Sequence, residues 1–238
     1  MNDVSDVWVY LSTTPLLHLT LTLAAFAFGS LIYEKTGRNP LANPVLIAVA
    51  LLVGLLTFTG TGYEQYFEGA QFVHFLLGPA TVCLALPLYR QFEKVRRSAL
   101  AIGASILTGS LTASAAAVGI GWALGAGRDT LISLAPKSVT APVAMGISEQ
   151  LGGLPSLTAA MVIVTGIIGA TFGPLLLTML GIKDWAARGL AMGTSSHGIG
   201  TARALQVNEV AGAFSGLAMG LNALATALLL PLLAGLLW

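Results

Sequence analysis

Long apolar runs alternate with short polar stretches along the chain, and the lengths of the runs predict helices that cross a lipid bilayer. A spanning helix needs about 20 mostly apolar residues. Five runs reach or nearly reach this length, at residues 15–33, 43–60, 99–126, 154–182 and 211–238. A sixth run, at 72–89, is long enough but contains Gly78, Pro79 and Pro87. No stretch alternates apolar and polar residues as a barrel strand would, so we predict an all-α polytopic membrane protein with about six spanning helices.

Two further segments, at 130–150 and 189–207, are shorter and interrupted by polar residues and helix breakers. The first contains Leu134–Pro142 (LAPKSVTAP), and the second contains Gly193–Arg203 (GTSSHGIGTAR). Ionisable side chains and broken backbone at bilayer depth are costly, and they persist mainly where they line a cavity. We therefore predict two broken or re-entrant segments that line a pathway for a small solute.

The basic residues between the runs predict an orientation, because cytoplasmic loops are enriched in lysine and arginine. Basic residues follow the runs 15–33, 72–89 and 154–182, at Lys35, Arg38, Arg90, Lys94, Arg96, Arg97, Lys183 and Arg188. All three groups are cytoplasmic, with the N-terminus outside, if segment 130–150 enters and leaves on the outer side. By the same logic, 189–207 re-enters from the inside. An ordinary eight-helix bundle is the alternative, and it would place Lys183 and Arg188 outside.

A repeated order of elements accompanies this topology. A broken segment followed by a long helix occurs at 130–182 and again at 189–238. The string Leu77–Val82 also resembles Leu134–Val139. Under the re-entrant topology the two copies have opposite orientations, and inverted repeats with discontinuous helices are typical of transporters. We predict a possible inverted repeat within one membrane domain, 1–238, with N-terminal helices in 1–98 and the two broken segments in 99–238.

The composition supports a membrane protein and excludes several other classes. The chain has 238 residues, of which 55% are hydrophobic and 9% charged, whereas a soluble domain has roughly 25% charged residues. A net charge of +1 gives no footprint for nucleic acid. The single cysteine, Cys83, allows no disulfide within the chain. The acidic start lacks the basic region of a cleavable signal peptide, so we expect the first run to be retained.

The polar stretches carry the candidate chemistry. Pro136 and Pro142 flank Lys137 and break the helix there, which would leave a helix N-terminus beside a cation. Arg203 can bind a carboxylate through two parallel hydrogen bonds, and His197, with an ordinary pKa near 6.5, could carry a coupling proton. The candidate substrate-binding residues are Lys137, Ser138, Thr140, Ser195, Ser196, His197, Gly198, Gly200, Thr201, Arg203 and Asn222.

Plainer interpretations of these residues remain open at this point. Lys137 could extend toward a membrane interface, Arg203 could lie at the cytoplasmic surface, and Asn222 could be an ordinary interhelical hydrogen-bonding residue. The sequence holds no phosphate-binding loop and no zinc-ligand pattern. Ser196 and His197 are neighbours without a carboxylate placed to orient the ring. We therefore expect no enzyme activity, no catalytic residues, no metal and no cofactor.

Several strings closely resemble the LrgB/CidB family, and the resemblance covers nearly the whole chain past about residue 15. They are Asn43-Pro44, Tyr66–Ala70, Leu77–Val82, Pro136–Ala144, Ser196–Arg203 and Gly212–Asn222. The resemblance implies a multi-pass protein of the bacterial inner membrane, of a kind described as antiholin-like and linked to murein hydrolase activity and lysis. It also implies a small holin-like LrgA/CidA membrane partner and a homo- or hetero-oligomer.

Some proteins of this family are implicated in pyruvate uptake, and plastid relatives export glycolate and glycerate. The resemblance therefore implies a carrier for small monocarboxylates of the pyruvate, glycolate and glycerate class. With no nucleotide site, we expect alternating access driven downhill or by an ion gradient. The competing hypothesis is a non-transporting regulator of a holin-like pore, which controls murein hydrolase activity and lysis. A regulator has little reason to keep Lys137 and Arg203 at bilayer depth.

Overall fold

The computed structural model describes residues 15–37, 39, 42–76, 79 and 89–237, and the regular elements within these ranges are all helices. In chain order they are α1 Pro15–Lys35, α2 Pro44–Thr59, α3 Tyr63–Phe75, α4 Phe92–Arg97, α5 Ala99–Ala123, α6 Arg128–Leu134, α7 Ala141–Leu151, α8 Pro155–Met179, α9 Trp185–Val207 and α10 Glu209–Leu237. The all-α prediction is confirmed. Most of the run at 72–89, the echo at 77–82 and Cys83 lie outside the described residues.

Four described helices are long and apolar enough to cross a membrane: α1, α5, α8 and α10. A fifth, α2, is apolar but only 16 residues long. These helices match the five apolar runs predicted from the sequence. The chain divides into two compact units, Met1–Cys83 and Leu84–Trp238.

The first unit is organised by α1, which packs against both α2 and α3. Asn43 fixes the start of α2, because its Oδ1 accepts hydrogen bonds from the backbone N–H groups of Val45 and Leu46. Tyr66 on α3 forms a 2.9 Å hydrogen bond with Thr22 on α1. Because polar groups in an apolar helix pair need partners, this bond fixes how α3 lies on α1.

In the second unit, α6 and α7 form a hairpin with its tip at residues 135–140. Ser133 lies near the end of α6 and Ser148 near the end of α7. The Thr158 hydroxyl, at the start of α8, lies 3.1 Å from the Ser133 carbonyl oxygen and 2.8 Å from the Ser148 hydroxyl. The end of α6 and the end of α7 therefore both lie against the start of α8.

Helix α9 also folds back on itself as a hairpin. Its backbone is non-helical at His197, with φ 40° and ψ −132°, so it consists of an inward half, 185–196, and a return half, 198–207. Trp185 and Arg188 from the inward half and Arg203 and Val207 from the return half line one cavity beside Leu177 near the end of α8. The open end of this hairpin therefore lies at the end of α8, opposite to the open end of the α6–α7 hairpin.

Two ion pairs mark the open end of the α9 hairpin. Lys94 lies 3.8 Å from Asp184, just before α9, and Arg90 lies 2.9 Å from Glu209, at the start of α10. Both pairs are exposed and add little stability. They do place both ends of α9 beside the basic residues around α4.

Close packing of α9 on α10 depends on glycine. A side chain at Gly189 or Gly193 would meet the carbonyl oxygen of Ala211 or Ser215 on α10. The two backbones therefore touch directly over two turns, as small residues allow in membrane helices. This contact fixes the inward half of the hairpin against α10.

Candidate functional site

The two hairpin tips meet at one side chain of α10. Asn222 is 1% exposed, and its amide nitrogen donates to the carbonyl oxygen of Ser138, at 3.3 Å, and to that of Thr194, at 3.0 Å. Ser138 belongs to the tip of the α6–α7 hairpin, and Thr194 belongs to the last turn of α9 before its break. A single buried amide thus joins both broken segments, and we call this meeting point the crossing site.

The wall of the crossing site opposite α10 is formed by α8. The Nε2 atom of His197 lies 2.9 Å from the Val162 carbonyl oxygen, and because a carbonyl can only accept, Nε2 carries the hydrogen. The ring fits because residue 166 is glycine, where a Cβ atom would lie 2.7 Å from His197 Cε1. Val139, from the other tip, packs on Val162 as well, so both tips contact the same stretch of α8.

The backbone of His197 is strained. It is the one non-glycine residue with positive φ among the described residues, in a region that favours glycine and costs other residues about 1–3 kcal/mol. Strain of this kind persists when the surrounding contacts fix it. The buried ring and its bond to Val162 are those contacts, so His197 holds the break between the two halves of α9.

We expect His197→Gly and His197→Ala to differ in stability, although both remove the ring. The alanine variant should be less stable by about 1 kcal/mol, because only its Cβ is strained at this φ. Thermal unfolding of the purified variants measures the difference. Ser195, which is helical and exposed, is the matched control, and there the order should reverse because alanine favours helix over glycine. The same order at both positions would contradict the strained backbone.

The hydroxyl groups of the second polar stretch lie on both sides of this break. Ser196 is fully buried, lies 3.0 Å from the Ser195 hydroxyl and packs on Gly169 of α8. Thr201 lies 2.8 Å from the His197 carbonyl oxygen and 2.9 Å from the Ser215 hydroxyl. The hydroxyl groups of Ser196 and Thr201 are therefore used in hydrogen bonds that stabilise the tip.

Positive charge is concentrated at the crossing site. Lys137 is half-buried on the first tip, next to Ser138, whose carbonyl oxygen accepts a hydrogen bond from Asn222. Helix α7 starts at Ala141, and the Thr140 side chain does not cap it. The return half of α9 starts at Gly198 and continues through Gly200. Two helix N-termini, each carrying partial positive charge and free N–H groups, therefore lie at the tips.

Arg203 occupies a different place. It lines a small cavity at the open end of the α9 hairpin, together with Arg188. It follows His197 by six residues, which is about 9 Å along a helix axis. Arg188 donates to the carbonyl oxygens of Ile182 and Pro174 and to the Thr178 hydroxyl. The structure thus places Lys137 beside the crossing site and Arg203 in the cavity at the open end of the α9 hairpin.

Comparison with known proteins identifies the chain. The model of the LrgB-like family matches residues 22–236. The chain belongs to the LrgB-like family. The resemblance seen in the sequence is therefore confirmed.

The LrgB-like chain is also similar to curated relatives along nearly their whole length. It is 36% identical over 217 residues to the holin-like protein CidB of Staphylococcus epidermidis, covering 91% of this chain and 94% of the relative. It is 36% identical over 218 residues to the uncharacterised protein YwbG of Bacillus subtilis, covering 92% and 96%. It is 35% identical over 218 residues to CidB of Staphylococcus aureus, covering 92% and 95%. No solved structure matches.

Three of the six LrgB-like strings noted in the sequence lie in the elements that form the crossing site. Pro136–Ala144 forms the first tip, Ser196–Arg203 holds the break and the return half of α9, and Gly212–Asn222 is the part of α10 that both tips contact. Sequence reasoning missed Thr194 and Val162, which take part through backbone carbonyls. Thr194 lay within the polar stretch and could have been chosen, whereas no side-chain signal marks Val162.

Proposed function

We propose that this LrgB-like chain is an integral membrane carrier for small monocarboxylates, of the pyruvate, glycolate and glycerate class. The observation that supports it most is the meeting of both broken segments at Asn222. Broken helices that meet at the interface of a repeat are the usual substrate site of such carriers. The substrate would bind beside Lys137 and the N-termini of α7 and of the return half of α9.

The distribution of charge supports an anionic substrate. The described acidic residues of the second unit are all exposed, namely Glu93, Asp129, Glu149, Asp184 and Glu209. None of them is buried beside Lys137 to neutralise it. A charge at bilayer depth needs a counter-charge, and a bound carboxylate supplies one. Free backbone N–H groups at the helix N-termini would orient its oxygens.

Alternating access follows from the opposed hairpins. The α6–α7 hairpin opens toward the start of α8, and the α9 hairpin opens toward its end, so the crossing site can be reached from either side by small movements of one hairpin and its long helix against the other. The cavity with Arg188 and Arg203 would then be the vestibule on the side of the ion pairs. Its two guanidinium groups would attract the anion.

Uptake by purified protein in liposomes tests the carrier function. Labelled pyruvate, glycolate and glycerate are supplied outside, and protein-free liposomes are the control. We expect saturable uptake of at least one of them, inhibited by the other two. Liposomes that contain folded protein and take up none of the three would contradict the proposal.

A second function is favoured by the names of the relatives. Curated relatives are called holin-like protein CidB, which suggests an antiholin-like regulator of a holin-like pore. This chain would then bind an LrgA/CidA-type membrane partner as a homo- or hetero-oligomer and control murein hydrolase activity and lysis. Liposomes that contain such a partner distinguish the two: a regulator changes dye leakage through the partner without moving carboxylate itself.

We propose a bacterial inner-membrane location with the N-terminus outside, and expect a specific labelling pattern. In a Cys83→Ser background, cysteines at Gly127 and Gln150 should react with an impermeant thiol reagent added outside, because both ends of the α6–α7 hairpin would face out. Cysteines at Lys183 and Glu209 should react only after the membrane is opened. Labelling of Gly127 and Gln150 from opposite sides would contradict the re-entrant topology.

A further inference from the structure

The geometry of Asn222 points to a second ligand at the crossing site. We propose that the Asn222 side-chain oxygen, with the carbonyl oxygens of Ser138 and Thr194, binds a monovalent alkali cation together with the carboxylate. This inference rests on the proposed carrier function and adds the ion that would drive it.

The first reason is an unsatisfied acceptor. Asn222 Oδ1 is buried and has no hydrogen-bond partner, whereas the nitrogen of the same amide donates to both tips. A buried acceptor without a partner costs about 1–3 kcal/mol. Such groups are rare and call for an explanation, such as an ion or a water that binds there. Asn222 is in addition 1% exposed, so bulk solvent does not satisfy this oxygen.

The second reason is that a half-turn of the Asn222 amide would bring three oxygen atoms together. The oxygen and nitrogen of an asparagine amide are nearly equal in size, and the group rotates about one bond. After rotation, Oδ1 would stand where the nitrogen now lies, 3.0 Å from the Thr194 carbonyl oxygen and 3.3 Å from that of Ser138. Three oxygens without a hydrogen between them repel one another unless a cation lies among them. A cation among the three oxygens would replace the two amide hydrogens that now join Asn222 to the carbonyls, and the NH₂ group would turn to the side that Oδ1 now faces.

The third reason is that these carbonyls lie where helical bonding is interrupted. The last four carbonyls of a helix lack intrahelical partners. Thr194 lies three positions before the break at His197, and Ser138 lies in the turn between α6 and α7. Carbonyls at breaks in transporter helices are typical ligands of coupling ions. All three oxygens are neutral, which favours a monovalent ion, since divalent cations are held mainly through carboxylates.

Three protein oxygens leave coordination positions for other ligands. Water or the carboxylate of the substrate can fill them, and the substrate would then bind the cation directly. Each ligand would raise the affinity for the other by the same factor, because coupling between two sites is reciprocal. That mutual increase is what ion-driven uptake requires.

Thermal unfolding of the purified chain, without carboxylate, tests the site directly. Unfolding is followed in NaCl, KCl and N-methyl-D-glucamine chloride at one ionic strength. A ligand that binds only the folded state raises its melting temperature, so we expect stabilisation by an alkali cation that grows with the logarithm of its concentration and reaches about 5 °C at roughly ten times the Kd. Asn222→Ala should lose this shift. Thr226→Val is the matched control, because it removes a buried hydroxyl one turn later on α10 that bonds Ser110, and it should keep the shift.

The outcomes separate the cation site from the carrier function. Equal melting temperatures of the wild type in all three salts would overturn the cation site, even if carboxylate uptake is observed. If an alkali cation raises the melting temperature and this rise depends on Asn222, but no carboxylate uptake is observed, the cation site is supported and the carrier function is rejected. If Asn222→Ala does not fold, Asn222→Asp replaces it: the added negative charge should lower the cation concentration needed for a given rise in melting temperature, and an unchanged concentration would overturn the proposal.

Discussion

Replacing Lys137 by alanine is expected to reduce carboxylate uptake by about 10- to 100-fold at low substrate concentration. A hydrogen bond to a charged group contributes about 1.5–3 kcal/mol, and each 1.4 kcal/mol is about tenfold in affinity. Lys137 is half-buried on the first hairpin tip, whereas the described acidic residues of the second unit are exposed. Initial rates of uptake in liposomes at several substrate concentrations measure the effect.

Two further lysine variants test whether the loss of uptake is specific to the positive charge at position 137. Lys183→Ala removes an exposed cation outside the crossing site and should leave uptake within about twofold, as surface charges act weakly. Lys137→Arg keeps the charge with a different shape and should recover part of the rate. Full uptake by Lys137→Ala, at normal protein levels in the liposomes, would remove Lys137 from the substrate site.

Replacing Gly193 by alanine is expected to separate α9 from α10 and to stop uptake. The added Cβ would meet the Ser215 carbonyl oxygen and would lie 2.9 Å from the Ala218 Cβ. Because the obstacle is backbone, no side chain can turn away, and overpacking of this kind costs about 1–3 kcal/mol. The next residue, Thr194, would move away from Asn222. We expect a melting temperature lower by about 5 °C and loss of carboxylate uptake.

Gly220→Ala is the control for this substitution. Gly220 lies on α10 and has no atom within 4 Å of where a Cβ would stand. Alanine there should leave stability unchanged or slightly raised, because it favours helix. If Gly193→Ala unfolds at the wild-type temperature and transports at the wild-type rate, the close contact between α9 and α10 is not needed.

The fold could largely be predicted because the bilayer imposes strong rules on sequence. Apolar length alone identified α1, α2, α5, α8 and α10, since a spanning helix must satisfy its backbone internally. The polar strings identified both broken segments, because proline and cations are costly within lipid. The basic residues favoured hairpins over crossings, and the contacts of Thr158 and the cavity at Arg203 describe hairpins.

The candidate site was predicted only in part, because side-chain types do not reveal backbone partners. Lys137, Ser138, His197 and Asn222 were chosen from the sequence and lie together in the structure. The role of Asn222 as the link between two carbonyls depends on how three segments pack. Arg203 shares a motif with His197, but it lies on the return half of α9 and lines the cavity at the open end of that hairpin. Residues that are close together in the sequence are therefore not all close to the crossing site.

The central claim is that both hairpin tips meet deep in the protein and that the solute passes there. Paired cysteines at Ser138 and Thr194, in a Cys83→Ser background, test it with a short, reducible thiol cross-linker. A pair at Ser110 and Thr226, whose hydroxyls lie 2.9 Å apart, is the positive control for reaction inside the protein. We expect the 138–194 pair to cross-link, carboxylate uptake to stop, and reduction to restore uptake. A control pair that reacts while the 138–194 pair does not, or full uptake after cross-linking, would contradict the account.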